Sequence, residues 1–311
     1  MTTISKAHDS NMQPAKISPG AKRRKRKKIL GKVLTYVFVL MLVVAVLAPF
    51  VWMVISSISP QVELSAKPPH WIPNNPTLAR YRALILGSES GAAVPAATEK
   101  FLRGMLSSLV VSVSTTAVCV VAGTMAAYAL ARLPVPGKQN FMIGILSAQM
   151  VPIIVIIIPL YLLMQKFSMM DTWRGLVLTY SGFMLPTVIW IMHSYFLTIP
   201  QSLEEAAMID GCSRLSALLK VILPLSGPGL VAVSAFTFLS SWNEFFMALI
   251  FSGSHAKTIT VVVTEFSSQF GVDFGLMATG GVIGSLPPLI LAFLLQRYIV
   301  AGLTAGAVKG E

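Results

Sequence analysis

The chain has 311 residues, 55% of them hydrophobic and only 12% charged, with a mean hydropathy of +0.74 and a formal net charge of +12. A soluble globular domain carries about twice that share of charged residues, so the composition excludes one and points to a lipid bilayer. Residues 1–20, with Ser, Lys and Pro but no apolar period, are expected to be disordered. The dense run Lys22-Arg23-Arg24-Lys25-Arg26-Lys27-Lys28 follows, then Lys32 at the edge of the first apolar stretch, so residues 1–32 read as a basic, disordered tail. That stretch, residues 33–58, is too long for a cleavable signal and lacks a small-residue cleavage site. Five more follow at 106–131, 141–164, 175–197, 229–250 and 280–299. Each is long enough, at about 20 residues, to cross the hydrocarbon core as a helix, and their continuous apolar character excludes the alternation of a barrel. The expected fold class is all-α: a polytopic membrane protein with six transmembrane helices over residues 33–300.

The basic run sets the expected orientation, with the N-terminus cytoplasmic. An even number of spans returns the tail, residues 301–311, to the same side, and the polar segment 198–228 between the fourth and fifth spans faces the cytoplasm too. Attraction to anionic lipid accounts for the run as well. Nucleic acid is not expected as a partner, because no aromatic residues interleave with the charges. Cys119 lies in the second span and Cys212 in segment 198–228, neither suited to a disulfide. His8, His70, His193 and His255 show no metal-ligand spacing, and no catalytic triad or carboxylate pair is legible. A Gly-x-x-x-x-Gly-Lys-Ser/Thr phosphate loop is missing as well, so the chain is not expected to hydrolyse ATP.

Segment 198–228 is the one polar, helix-forming insert. Thr198 is placed to cap a helix with Pro200 in its first turn and Glu204 and Glu205 near its positive end. Gly211 stops it. Ser213 is placed to cap a second helix whose Leu215, Leu218, Leu219 and Ile222 form one apolar stripe before Pro224 ends it. The two helices make a compact knob. Ala206 and Ala207 keep its surface low for close approach, and Glu205 offers a carboxylate to a basic group.

Glu205-Ala206-Ala207, three residues, Gly211, nine residues, an aliphatic residue, any residue and Leu223-Pro224 together closely resemble the cytoplasmic signature of ABC-importer permease subunits. In that family the segment is a coupling helix that docks in a cleft of the ATPase subunit. The resemblance assigns ATPase coupling to Glu205, Ala206, Ala207, Gly211, Leu223 and Pro224. Two departures are mild: Val221 stands where Ile is usual, and Cys212 follows the glycine where a small residue is common. Further stretches are similar to carbohydrate importers: Pro69-His70-Trp71-Ile72-Pro73 with Pro76-Thr77 and Tyr81, Ala126-Ala127-Tyr128-Ala129-Leu130-Ala131-Arg132, Trp242-Asn243-Glu244-Phe245, and Gln296-Arg297-Tyr298 with the Gly302 to Gly310 tail. Together they most resemble the six-span, maltose-type inner-membrane subunit, a type I permease. The resemblance implies import of a sugar or sugar derivative across the bacterial cytoplasmic membrane by alternating access. It implies a second permease subunit, two ATPase subunits that bind ATP and Mg, and an extracytoplasmic sugar-binding protein. The tail is expected along the ATPase dimer interface, and segment 252–277 is expected to be an external loop reaching the binding protein. No catalytic residue, metal site or cofactor is expected in this chain. The alternatives are an ABC importer for a non-sugar solute and an ion-driven secondary transporter. The latter lacks support from paired inverted repeats. A membrane scaffold would need a partner-binding loop without solute transport, and an integral enzyme a catalytic constellation.

Asn243 and Glu244 stand out because an ionised carboxylate among lipid costs at least a few kcal/mol. Both are expected in the fifth helix facing protein or water, either lining the solute path or binding neighbouring helices. Gln149 and His193 are read as helix-packing residues. Pro152, Pro159, Pro186 and Pro287-Pro288 are expected to kink their helices, and Gly280, Gly281 and Gly284 to permit close helix contact.

Overall fold

The computed structural model describes residues 19–66, 70–86, 95–268 and 271–307. Helix α1 (Pro19–Ile58) runs unbroken through the basic run, with Pro49 inside it. This corrects the expected disordered tail over residues 19–32. Lys and Arg are good helix formers, and a long helix already nucleated extends through them at little cost. Residues 1–18 lie outside the described residues. Contacts divide the chain after Trp52. In the first unit every described side chain from residue 28 to 51 is exposed, giving a helix that is apolar all round.

The second unit holds the rest. After the last turn of α1 come α2 (Gln61–Leu64), α3 (Ala79–Leu86), α4 (Pro95–Arg132), α5 (Lys138–Gln149), α6 (Ile153–Lys166) and α7 (Trp173–Phe196). Then follow α8 (Gln201–Ile209), α9 (Arg214–Ala217), a π turn (Leu218–Ile222), α10 (Leu223–Leu225), α11 (Gly227–Trp242), α12 (Phe246–Phe251) and α13 (Ile259–Thr264). A two-residue antiparallel hairpin, β1 (Ser267–Ser268) with β2 (Gly271–Val272), precedes α14 (Phe274–Ala307). Among the described residues four helices are long and apolar enough to cross a membrane, and six spans result if each of two bent helix pairs is one.

The core has two centres. The larger gathers Val111, Cys119, Tyr180, Val188, Phe196 and Val233 where α4, α7 and α11 pack. Gly123 lets α4 approach α7: a Cβ there would stand 2.7 Å from Val188 Cγ1, so only a glycine fits without a shift. The smaller centre joins α3, α4, α11 and α13 through Leu84, Phe101, Trp242, Ile259, Val262 and Phe266. Gly280 and Gly284 make the expected close contacts, towards Phe266 and Ile259 respectively. Gln149 Nε2 donates to Thr187 Oγ1 at 2.5 Å, the helix-packing role expected of it.

Several element boundaries differ from expectation. The third apolar stretch is two helices, α5 and α6, meeting at 93°. Pro152 has no N–H to donate and biases Val151 away from the α conformation, so the helix breaks there. Pro159, Pro186 and Pro287-Pro288 instead sit inside helices that continue past them. The fifth stretch breaks between Trp242 and Phe246. Helix α14 starts six residues before the expected 280 and continues to Ala307, so residues 301–307 of the expected tail are helical. Leu303, Ala305 and Ala307 favour helix, and Gly302 and Gly306 are too few to stop it. Val308, Lys309 and Gly310 lie outside the described residues, as does Pro69 of the first-loop motif.

Segment 252–277 is more ordered than a plain loop, holding α13, the hairpin and the start of α14. Asp171, in the α6–α7 connection, organises its beginning. Its Oδ1 accepts the N–H groups of Gly253, His255 and Ala256 at 2.7, 3.1 and 2.9 Å, and its Oδ2 those of Ser254 and His255 at 2.9 and 3.1 Å. Its own N–H donates to Phe251 O at 2.8 Å. Burial alone would push the Asp171 carboxyl up, but the four backbone donors outweigh it and hold it below the usual carboxylate range.

Candidate functional site

Helix α8 begins later than expected. The Thr198 hydroxyl donates to Tyr195 O at 2.7 Å and does not cap it; Pro200, extended at φ −58° and ψ 131°, sets the turn before Gln201. At the other end the expected stop holds. Gly211 adopts φ +88°, its N–H donates to Met208 O at 3.1 Å, and the N–H of Cys212 reaches back to Ala207 O at 3.0 Å. This is a Schellman closure, which satisfies two carbonyls that the helix end would leave free. Ser213 Oγ accepts the N–H of Ser216 at 3.3 Å, the predicted cap of the next helix.

That next helix does not present one apolar stripe. Leu218 and Ile222 are buried, whereas Leu215 and Leu219 are 58% and 56% exposed. Residues 218–222 widen into the π turn, in which Leu223 N–H bonds Leu218 O. Pro224 accounts for it: it supplies no N–H, and its ring would crowd the carbonyl of Lys220 in a regular helix. Pro224 does not end the helix either. The chain bends by 80° two residues later, around Ser226, and enters α11.

The six signature residues do not share one surface. Glu205, Ala206, Gly211 and Pro224 are exposed, Leu223 is partly buried, and Ala207 is buried. Only Ala206 of the alanine pair therefore keeps the outer surface low, and Ala207 serves packing beneath. The knob also exposes Ile209, at 87%, with Leu215 and Leu219. A carboxylate, a small residue and a group of unpartnered aliphatic side chains make a surface suited to another protein.

Sequence reasoning missed what lies beneath Glu205. Glu204 points inward: its Oε1 accepts the Tyr128 hydroxyl at 2.5 Å and its Oε2 lies 3.5 Å from Arg132 Nε. The second contact is an ion pair without hydrogen-bond geometry. The two side chains are 5% and 6% exposed. Arg132 Nη2 also donates to Phe196 O at 2.9 Å and Ile199 O at 2.6 Å, so one guanidinium links the ends of α4 and α7 to α8. A signal was present in the sequence. Neighbouring helical residues point about 100° apart, so Glu204 and Glu205 cannot share one direction, and Arg132 at the end of an apolar stretch is a charge that needs a partner.

Asn243 and Glu244 do not sit in a continuous helix. The Glu244 carboxylate accepts the N–H groups of Met247 and Ala248 at 2.8 and 3.0 Å, and its backbone carbonyl accepts the Thr260 hydroxyl at 2.8 Å. It thus caps the start of α12 from its own chain. Trp242 Nε1 bonds Gly284 O at 3.1 Å, holding the break against α14. Asn243 is exposed and, with Trp242, Phe245, Gly281, Gly284 and Pro288, lines an open groove of about 440 Å³.

A family model described as binding-protein-dependent transport system inner membrane component matches residues 119–305. The chain belongs to this family. It is therefore a multi-pass membrane transport component and not an enzyme. The sulfoquinovosyl glycerol transport system permease protein SmoH of Agrobacterium fabrum is 33% identical over 282 residues, 90% of this chain and 95% of that protein. The trehalose transport system permease protein SugB of Mycobacterium tuberculosis is 36% identical over 267 residues, 85% and 93% of the two chains. A bacterial ABC transporter involved in importing the acidic polysaccharide alginate shares the fold, with a TM-score of 0.73 at 20% identity over 88% of this chain and 98% of that one. The all-α permease fold expected from the sequence is the fold found.

Proposed function

We propose that this chain is a permease subunit of an ATP-driven importer for a sugar or sugar derivative. It would work with a second permease subunit, two ATPase subunits and an extracytoplasmic sugar-binding protein. ATP and Mg belong to the ATPase subunits, whose hydrolysis cycle switches the permease pair between outward- and inward-open states. The knob carrying Glu205, Ala206 and Gly211 is the docking element for one ATPase. Its side is the cytoplasmic one, together with both termini, a reading that the basic run supports; the Asp171 end faces outward, towards the binding protein.

The observation that carries the reading is the exposed pair of Glu205 and Ile209 on a short helix closed by Gly211, in a chain whose relatives over most of its length are named for sugar transport. Reconstitution of the assembled complex with its binding protein tests it. ATP-dependent uptake of trehalose, sulfoquinovosyl glycerol or a related glycoside is the expected result. Retention of an amino acid or peptide by the co-purified binding protein would overturn the sugar assignment, and uptake driven by an ion gradient without the ATPase would overturn the whole reading.

A further inference from the structure

Glu204 and Glu205 are adjacent, yet one is buried in a three-helix junction and the other faces solvent. We propose that the Arg132–Glu204–Tyr128 cluster is a positioning joint that makes α8 move as one body with the ends of α4 and α7. A displacement of the docking helix is thereby carried into the membrane helices. The proposal rests on the assignment of the Glu205 face as the ATPase contact.

The geometry is that of a stiff joint. Arg132 is the last residue of α4, and its Nη2 donates to two carbonyls where α7 ends and runs on towards α8: that of Phe196, which also accepts the Ile199 N–H at 3.2 Å, and that of Ile199. The Nε edge of the same group meets Glu204 in the first turn of α8. One turn earlier on α4, Tyr128 donates to the second Glu204 oxygen, and its ring meets Phe196 edge-on with centroids 6.1 Å apart. Each carboxylate oxygen therefore faces a different partner on α4, and rotation of α8 about its axis would break both contacts. Both side chains are buried, so a geometry that loses one contact leaves a charged group without its partner and is penalised. A buried ion pair is a poor source of net stability compared with apolar packing, and its best-attested use is to hold a single arrangement. Helix α8 is only nine residues long and exposes most of its surface, so this joint is its principal buried polar anchor among the described residues.

The test uses the complete complex with partner permease and ATPase, spin-labelled at Val121→Cys on the exposed face of α4 and at Ser202→Cys in the exposed first turn of α8, away from the Glu205 and Ile209 face. The background is Cys212→Ser, since Cys119 is buried. The native joint is expected to give one narrow interspin distance, the same in the nucleotide-free and vanadate-trapped states. Glu204→Gln keeps the shape but removes the charge, and Tyr128→Phe removes one donor. Both are expected to broaden the distribution and to make it differ between the two states while the ATPase still co-purifies. Unchanged narrow distances in both variants would overturn the joint. Loss of the ATPase from Glu204→Gln with a native distance would also overturn it, by making Glu204 part of the docking face. Glu205→Lys separates the underlying reading: it is expected to release the ATPase while keeping the native distance, and retention of the ATPase would refute the docking assignment itself.

Discussion

Substitution of Gly211 isolates a backbone cost on the knob that carries Glu205. Its φ is +88°, and a Cβ added there would meet nothing within 4 Å, so steric clash within the chain is not a factor. Gly211→Ala should cost about 1 kcal/mol, the usual penalty of placing an L-residue in the left-handed region, and Gly211→Asn less. Gly211→Pro is different in kind. Proline fixes φ near −65° and removes the N–H that donates to Met208 O, and the re-aimed chain loses the Cys212 N–H bond to Ala207 O as well. Two hydrogen bonds at about 1 kcal/mol each, plus the lost turn geometry, give roughly 3 kcal/mol for the closure. The assay is co-purification of the ATPase subunits with each variant, followed by hydrolysis stimulated by the binding protein. Asn should behave nearly as Gly, Ala should weaken coupling modestly, and Pro should abolish it. Normal assembly and stimulated hydrolysis in Gly211→Pro would refute the docking assignment, and an Ala variant as damaged as Pro would refute the backbone explanation.

Two more perturbations address the elements around the spans. Asp171→Asn should free the start of segment 252–277, seen as faster hydrogen exchange at the Gly253, Ser254, His255 and Ala256 amides; unchanged protection would show the clamp to be dispensable. Because the folded Asp171 carboxyl is held low, the clamp's contribution is fully present above the unfolded value of about 4 and is lost only as pH falls through the lower folded value. Native exchange protection should accordingly be the same at pH 7 and pH 5. Glu244→Ala leaves the first amides of α12 without their cap and should cost about 1 kcal/mol of complex stability, with Glu244→Gln tolerated. Impaired uptake in the Gln variant with intact assembly would instead assign the charge to the solute path.

The spans were legible because bilayer thickness demands long apolar runs, and the ends of the knob because Gly211 and Ser213 carry local chemistry that needs no tertiary context. Breaks were harder. Pro152 interrupts its helix while Pro159 and Pro186 do not, since neighbouring helices decide whether a chain tolerates a missing N–H. Glu244 reads as an intramembrane charge in sequence because nothing there shows that the helix ends at Trp242, which is held by a carbonyl 42 residues further along the chain. The Leu215–Ile222 stripe failed because only its Leu218 and Ile222 row meets the core, whereas Leu215 and Leu219, also four apart, stay on the surface. The Arg132–Glu204 pair joins residues 72 apart in sequence, so only the packing of α4 against α7 brings it together.

The central claim is that the knob bearing Glu205 contacts an ATPase. A photoreactive amino acid in place of Ile209, the most exposed aliphatic side chain there, tests it in the assembled complex. The account predicts a cross-link to an ATPase subunit, identified by mass, whose yield changes between nucleotide-free and nucleotide-bound states. Cross-linking only to the extracytoplasmic binding protein, or to no ATPase in an active complex, would contradict it.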